Sequence, residues 1–369
     1  MTGPWTHTAL AQQLVFGAGS LDRLPELVKL VGARRALLVT TEGRRASEDG
    51  ARVERLLGRA LTSTFSEVES HVPVPIVQQA VLQARRDGID VVVSFGGGSC
   101  ADLGKAVCFF LEQEAGMPGS SHIDRPTVPH ISIPTTYSGA ELTPFFGMTD
   151  PATKQKQGAG GPTSAPVIAI YDPDLTTSTP TRVRAETGMN ALAHCVEAAY
   201  SPHRTPEAEA IALAGARMIH EALPAVVADG DDPAARAAML AGAALAGRCL
   251  LNAGMGVHHG LAQLVGGRTG IPHGLANAVL LAHAVAFNAV AVPDEVAQIG
   301  AALGDASDAV GAIDGLRAAV GLPGRLSEVG VAEDDLEAVA RLSQANQNVA
   351  RNPRPVSEAD ALAILRAAW

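Results

Sequence analysis

Val91 to Val107 reads VVVSFGGGSCADLGKAV: an apolar run, three consecutive glycines, then a helical pattern carrying Asp102 and Lys105. The run suits a strand buried on both faces, and Gly96, Gly97, Gly98 and Ser99 turn it directly into a helix. A strand feeding a helix in this way belongs to a βαβ rhythm, in which parallel strands are joined by helices lying on the sheet. Glycines let the backbone approach a ligand, and the N–H groups of the following helix carry partial positive charge, so the turn suits a pyrophosphate. It matches neither the GxGxxG nor the GxxxxGK[ST] fingerprint.

The rhythm extends to both sides. RALLVTT (Arg35 to Thr41), HISIPTT (His130 to Thr136) and VIAIYDP (Val167 to Pro173) repeat the pattern of an apolar run closed by turn residues. LDRLPELVKLVG places Leu21, Leu24, Leu27 and Leu30 at three-residue steps, and PIVQQAVLQARRDG places Ile76, Ala80, Val81 and Ala84 on one helical face before a glycine stop. After Pro173 the texture changes to Ala- and Leu-rich segments such as AEAIALAGARMIHEAL (Ala208 to Leu223), with no convincing strand. The expected architecture is an α/β dinucleotide-binding domain with a mostly parallel sheet over residues 1–160, and an all-α helical domain over 161–369. The boundary is expected in TKQKQGAGGPTSAP, Thr153 to Pro166, and an active site between two such halves is the ordinary arrangement.

With 369 residues, 47% apolar content and 18% charge, the chain can bury a substantial core and reads as a soluble globular protein. A formal net charge of −10 argues against a nucleic-acid surface. The start shows no basic segment followed by a long apolar one, and no later run is uninterrupted enough to span a bilayer, so the cytoplasm is the expected location. Cys100, Cys108, Cys195 and Cys249 show no paired spacing and read as buried small hydrophobes.

Two further groups of residues carry chemistry. In SIPTTYSGAELTP, Thr135, Thr136 and Ser138 follow a strand end, where hydroxyls reach a ligand at the carboxyl edge of a parallel sheet. In TGMNALAHCVEAAYS, Asn190 and His194 are four apart on one helical face, and in GVHHGLAQLVGGRTGIPHG, His259 and His273 flank a glycine-rich turn. Histidines so placed are either hydrogen-bonded core residues or converge with His194 on one point, where imidazole suits zinc, iron or copper. Lys154, Lys156, Arg351 and Arg354 are candidate cations for an anionic substrate, each otherwise a solvated surface charge.

The order GGGS, PTTYSG, NALAH, HHGLAQ, PHG and the closing NPRPVSEADALAILRAAW resembles the iron-containing alcohol dehydrogenase superfamily, and within it the maleylacetate reductases, from LVFGAG near the start to Trp369. The resemblance implies NADH or NADPH in the α/β domain, held by Gly96, Gly97, Gly98, Ser99 and Asp102, with Thr135, Thr136 and Ser138 on the nicotinamide side. It places a divalent metal, iron or zinc, on Asn190, His194, His259 and His273, in a cleft between the domains. Asn190 stands where metal-dependent members carry Asp and brings no charge to a dication, so the three histidines would be the ligands of any bound ion. Without an ion, His194, His259, His273 and Asn190 become catalytic donors to an oxyanion. Gln263, Asn277 and Ala350 depart from the reductase pattern. The expected activity is reduction of maleylacetate to 3-oxoadipate, or of a closely related unsaturated oxo-acid. The alternative is a biosynthetic paralogue acting on another carbonyl or conjugated acid, or one that binds a nucleotide without redox turnover. The expected partners are a small anionic substrate and a second copy of the chain, with no nucleic acid and no membrane.

Overall fold

A computed structural model describes residues 4–116, 126–152 and 155–369, the side chains of Gln155 and Lys156 excepted. The chain divides into two compact units, residues 9–179 and residues 180–369 together with 1–8.

The first unit is built on a six-stranded sheet. Its strands are β1 (Gln13–Phe16), β2 (Ala36–Val39), β3 (Leu61–Phe65), β4 (Val91–Gly96), β5 (His130–Pro134) and, after a hairpin of β6 (Phe145–Asp150) and β7 (Gln155–Gly160), β8 (Ile168–Tyr171). The order is β1-β8-β5-β4-β2-β3, every pairing is parallel, and β6 and β7 form a separate antiparallel ribbon. The central strands are buried at every position, because alternate residues face opposite covers. Leu37, Val39 and Val92 pack with Ile76, Val77, Leu103 and Val107 on one side. Leu38, Val91, Val93 and Ile131 pack with Leu21, Leu24, Val53 and Leu57 on the other. Each fully buried Leu or Val contributes about 1.5–3 kcal/mol of transfer free energy.

Three expectations shift. The stretch proposed as a domain boundary holds β7, and β8 lies beyond residue 160 yet pairs with β5 and β1, so the division of the chain falls at Thr179 and Pro180. Leu30 is 65% exposed, and the buried face of its helix, Leu24–Leu30, is Leu24, Leu27 and Val28. The segment Pro206–Ala228 is, among the described residues, one helix long and apolar enough to cross a membrane by length and composition. It buries Ala208, Ala212, Ala216, Ile219, Leu223 and Val226.

His130 on β5 illustrates how tightly the sheet is filled. Its Nε2 meets Ser94 Oγ at 2.8 Å, and a Cβ on Gly104 would lie 2.6 Å from that nitrogen. Burial, helped by Lys105, pushes its pKa from the ordinary 6.5 down to about 3. The unfolded chain therefore takes up a proton that the folded chain refuses, and stability falls as pH drops below 6.5 toward 3. At pH 5 this group alone costs about 2 kcal/mol. Urea midpoints should fall between pH 7 and 5, and His130→Gln should flatten that slope; an unchanged slope would assign it to other groups.

The second unit is helical throughout. Its site-bearing helices are Thr181–Tyr200, Val257–Thr269 and His273–Asn288. The turn between the last two closes on Gly270, whose φ of 78° is the left-handed conformation that glycine adopts most cheaply, and Pro272 precedes the next helix. Val257, Leu261, Val265, Val279 and Leu280 bury one face of this pair.

Candidate active site

In the first unit the glycine turn sits where β4 becomes the helix Gly98–Glu114. Gly96 has φ 145°, and a Cβ there would lie 2.6 Å from Cys100 Sγ. Cβ atoms on Gly97 and Gly98 would press on Thr136 at 3.3 Å and on Ser138 Oγ at 3.1 Å. The structure thus brings the glycine turn against the residues following β5, and Thr135 N donates to Gly96 O at 2.9 Å. No side chain caps the helix, and its first turn carries no acid, so its leading N–H groups remain available to an anion. The buried hydroxyls of Thr135 and Thr136 have no hydrogen-bond partner among the described residues, which fits a site built to meet a polar ligand. Asp102 pairs at 2.8 Å with Lys105, whose buried Nζ also donates to Ala140 O at 2.8 Å. This cradle fits a nicotinamide nucleotide.

In the second unit Asn190 and His194 project from one buried helical face. His194 stacks on His259 with ring centroids 4.7 Å apart and planes 19° from parallel, and His273 lies 6.1 Å from His259. The three histidines proposed from sequence therefore assemble. Burial, with His259 and His258 adding to it, lowers the pKa of His194 well below the ordinary value, so His194 is neutral at pH 7. Its Nδ1 has no hydrogen-bond partner among the described residues.

Glu197 is the residue that sequence reading missed. It lies three positions after His194 and is 1% exposed. Its Oε1 accepts from the backbone N–H groups of Gly256 and His258 at 3.1 and 3.0 Å, and its Oε2 from His259 N at 3.3 Å and His259 Nδ1 at 2.7 Å. One buried carboxylate thus caps the helix Val257–Thr269 and holds an imidazole that the helix carries. Burial raises the pKa of Glu197, opposed by His258 and the amides. A signal was present in the sequence: positions 190, 194 and 197 share one helical face.

The departures from the reductase pattern are tied into the same region. Asn277 Nδ2 donates to Asn190 Oδ1 at 2.5 Å, and Asn348 Nδ2 donates to Gln263 Oε1 at 3.3 Å; Ala350 is exposed. Arg354 is engaged at home, with its guanidinium 3.9 Å over the Phe287 ring and Nη1 donating to Phe287 O, so it is not a ready substrate cation. Asn352 Oδ1 accepts from Val257 N at 3.1 Å, which makes the NPRP segment a clasp on the histidine helix. Arg351 is exposed; Lys154 and the side chain of Lys156 lie outside the described residues.

A resident metal fits these residues poorly. The four family positions supply neutral donors only, and the Asn190 oxygen already accepts from Asn277. Glu197, His258 and His259 do bring ligand atoms within 4.8 Å of one another. The Glu197 oxygens, His258 Nε2 and the two facing Nδ1 atoms are engaged with each other, with backbone amides and with Asn277 O, 2.9 Å from His258 Nε2, and His259 Nε2 is turned away from Glu197.

Comparison with known proteins agrees with this geometry. Residues 11–173 match the family model for iron-containing alcohol dehydrogenase, and residues 184–369 match the C-terminal model of the Fe-containing alcohol dehydrogenase family. A maleylacetate reductase of Rhizobium sp. (strain MTP-10005) is 36% identical over 366 residues, 99% of this chain and 98% of that protein. The crystal structure of maleylacetate reductase from Agrobacterium tumefaciens superposes with a TM-score of 0.88 at 35% identity, covering 100% of this chain and 99% of the other. A 1,3-propanediol oxidoreductase superposes with a TM-score of 0.93 at 31% identity, covering 98% and 99%.

Proposed function

The chain belongs to the iron-containing alcohol dehydrogenase family and is an oxidoreductase, and from that premise we propose that it reduces maleylacetate, or a closely related unsaturated oxo-acid, with a nicotinamide cofactor. The observation that carries this reading is the donor set. The N–H groups of His194 and Asn190, with no carboxylate among the four family positions, suit a developing oxyanion. When bound, the reduced nicotinamide supplies a hydride to the alkene carbon conjugated with the ketone. His194, neutral through burial, offers an N–H to the enolate oxygen left by that addition, and Asn190 holds the oxygen's other side. His273, less buried than His194 and His259, returns a proton to the enolate carbon, so that substrate, hydride and proton sum to the saturated oxo-acid. Gly96, Gly97, Gly98, Ser99 and Asp102 hold the nucleotide at the glycine turn, and Thr135, Thr136 and Ser138 line the nicotinamide side.

The same proposal assigns NADH rather than NADPH. Of the two arginines after β2, Arg44 donates to Ser178 Oγ at 2.6 Å and Thr179 Oγ1 at 2.8 Å, and Arg45 pairs with Glu54. Glu42 is exposed at the head of that turn, where a carboxylate accepts from a ribose 2′-hydroxyl and repels a 2′-phosphate. The kcat/KM for NADH should exceed that for NADPH by about tenfold, a difference of about 1.4 kcal/mol, and Glu42→Gln should narrow the ratio. A preference for NADPH would reverse the assignment.

A cytoplasmic location and a homodimer, the latter checked by light scattering, complete the proposal. Loss of nicotinamide absorbance on adding maleylacetate tests the reaction, and no turnover with either nucleotide at high enzyme concentration would sink it. Related enoic and 2-oxo acids belong in the same assay, because Gln263, Asn277 and Ala350 depart from the reductase pattern.

A further inference from the structure

We infer that Glu197 is the positioning residue of His259: through Nδ1 it fixes the tautomer and orientation of the ring, so that His259 meets substrate through Nε2. The inference rests on the reductase reading only for the identity of that substrate. A chain of hydrogen bonds carries it. The carbonyl of Asn277 only accepts, so His258 Nε2 is a donor and the Nδ1 of neutral His258 keeps its lone pair. That lone pair lies 3.2 Å from His259 Nδ1, and Glu197 Oε2 lies 2.7 Å from the same nitrogen. Two acceptors thus converge on His259 Nδ1, which must carry its proton there. The lone pair of a neutral His259 is consequently on Nε2, the nitrogen turned away from Glu197.

The carboxylate itself cannot drift. Three backbone N–H groups from the head of the Val257–Thr269 helix fix its two oxygens, and a Cβ on Gly256 would come within 3.0 Å of Oε1, so glycine is needed for the approach. Glu197 touches neither substrate nor cofactor in this account; it acts through His259. The arrangement resembles in logic the carboxylate that orients a catalytic or ligating imidazole in many enzymes.

The test is nitrogen NMR of 15N-histidine-labelled protein, joined to kinetics. In the wild type His259 should show a protonated Nδ1 and an unprotonated Nε2. Glu197→Gln puts an amide donor beside Nδ1 and should exchange the two assignments. That variant should lower kcat about 100-fold while KM and the fluorescence-titrated Kd for NADH stay within twofold, and Glu197→Asp should recover part of kcat. An unprotonated Nδ1 in the wild type overturns the inference even if no variant folds, as does an unchanged kcat or an unchanged tautomer in Glu197→Gln. If no acceptor is reduced at all, the reductase reading fails while the spectrum still decides the tautomer.

Discussion

Gly98→Val should weaken NADH binding by about 100-fold, close to 3 kcal/mol, while leaving the helical unit and its histidine cluster intact. The reason is local. The backbone at Gly98 opens the helix Gly98–Glu114, which has no side-chain cap, and a Cβ there already meets Ser138 Oγ at 3.1 Å and Ser138 Cβ at 3.2 Å. A branched side chain must push Ser138 aside or stand over the leading N–H groups, and either change closes the surface that a pyrophosphate would use. Fluorescence titration with NADH reads the loss, and thermal unfolding separates it from damage to the sheet. Binding at wild-type strength would show that the nucleotide lies elsewhere.

His259→Ala should lower kcat by about 10²–10³ with the Kd for NADH unchanged, the size expected for removing one positioned acid–base group that meets substrate through its Nε2 lone pair. His259 is 3% exposed and bridges Glu197, His258 and His194, so its removal empties the middle of the cluster. The backbone N–H groups of Gly256 and His258 still satisfy Glu197 Oε1 in the variant, which keeps the helix capped and the effect kinetic. A fall confined to KM would instead mean that His259 binds substrate without favouring the transition state. Thermal unfolding of the variant should stay close to wild type; a collapse there would make His259 structural.

How far such effects could be read from sequence depends on the residue. The strands β2, β4, β5 and β8 were legible because central parallel strands, buried on both faces, are mostly apolar runs. β1 and β3 were not: both lie at sheet edges, and Leu61–Phe65, LTSTF, carries three hydroxyl residues that a central strand would not tolerate. The ribbon strand β7 lies in the stretch that reads as a domain boundary, because its glycines, glutamines and lysine have the composition of a turn region, and only its pairing with β6 makes it a strand. Among site residues, the glycine turn and the histidines announce themselves by local spacing. Glu197 does not, because three of its four donors are backbone amides of the Gly256–His259 turn, some 60 residues downstream and brought to it by tertiary packing. Arg354 misled in the opposite sense, since nothing in NPRP reveals the ring and carbonyl of Phe287 that occupy it.

The proposed reaction moves a hydride from a nicotinamide to a conjugated oxo-acid without a metal. Its most direct test is mass spectrometry of the product formed from maleylacetate and NADH deuterated at the transferable position, with and without a chelator. One deuterium per molecule of 3-oxoadipate is expected, at equal rates in both samples. Product without deuterium, no product at all, or a reaction that the chelator abolishes would contradict it.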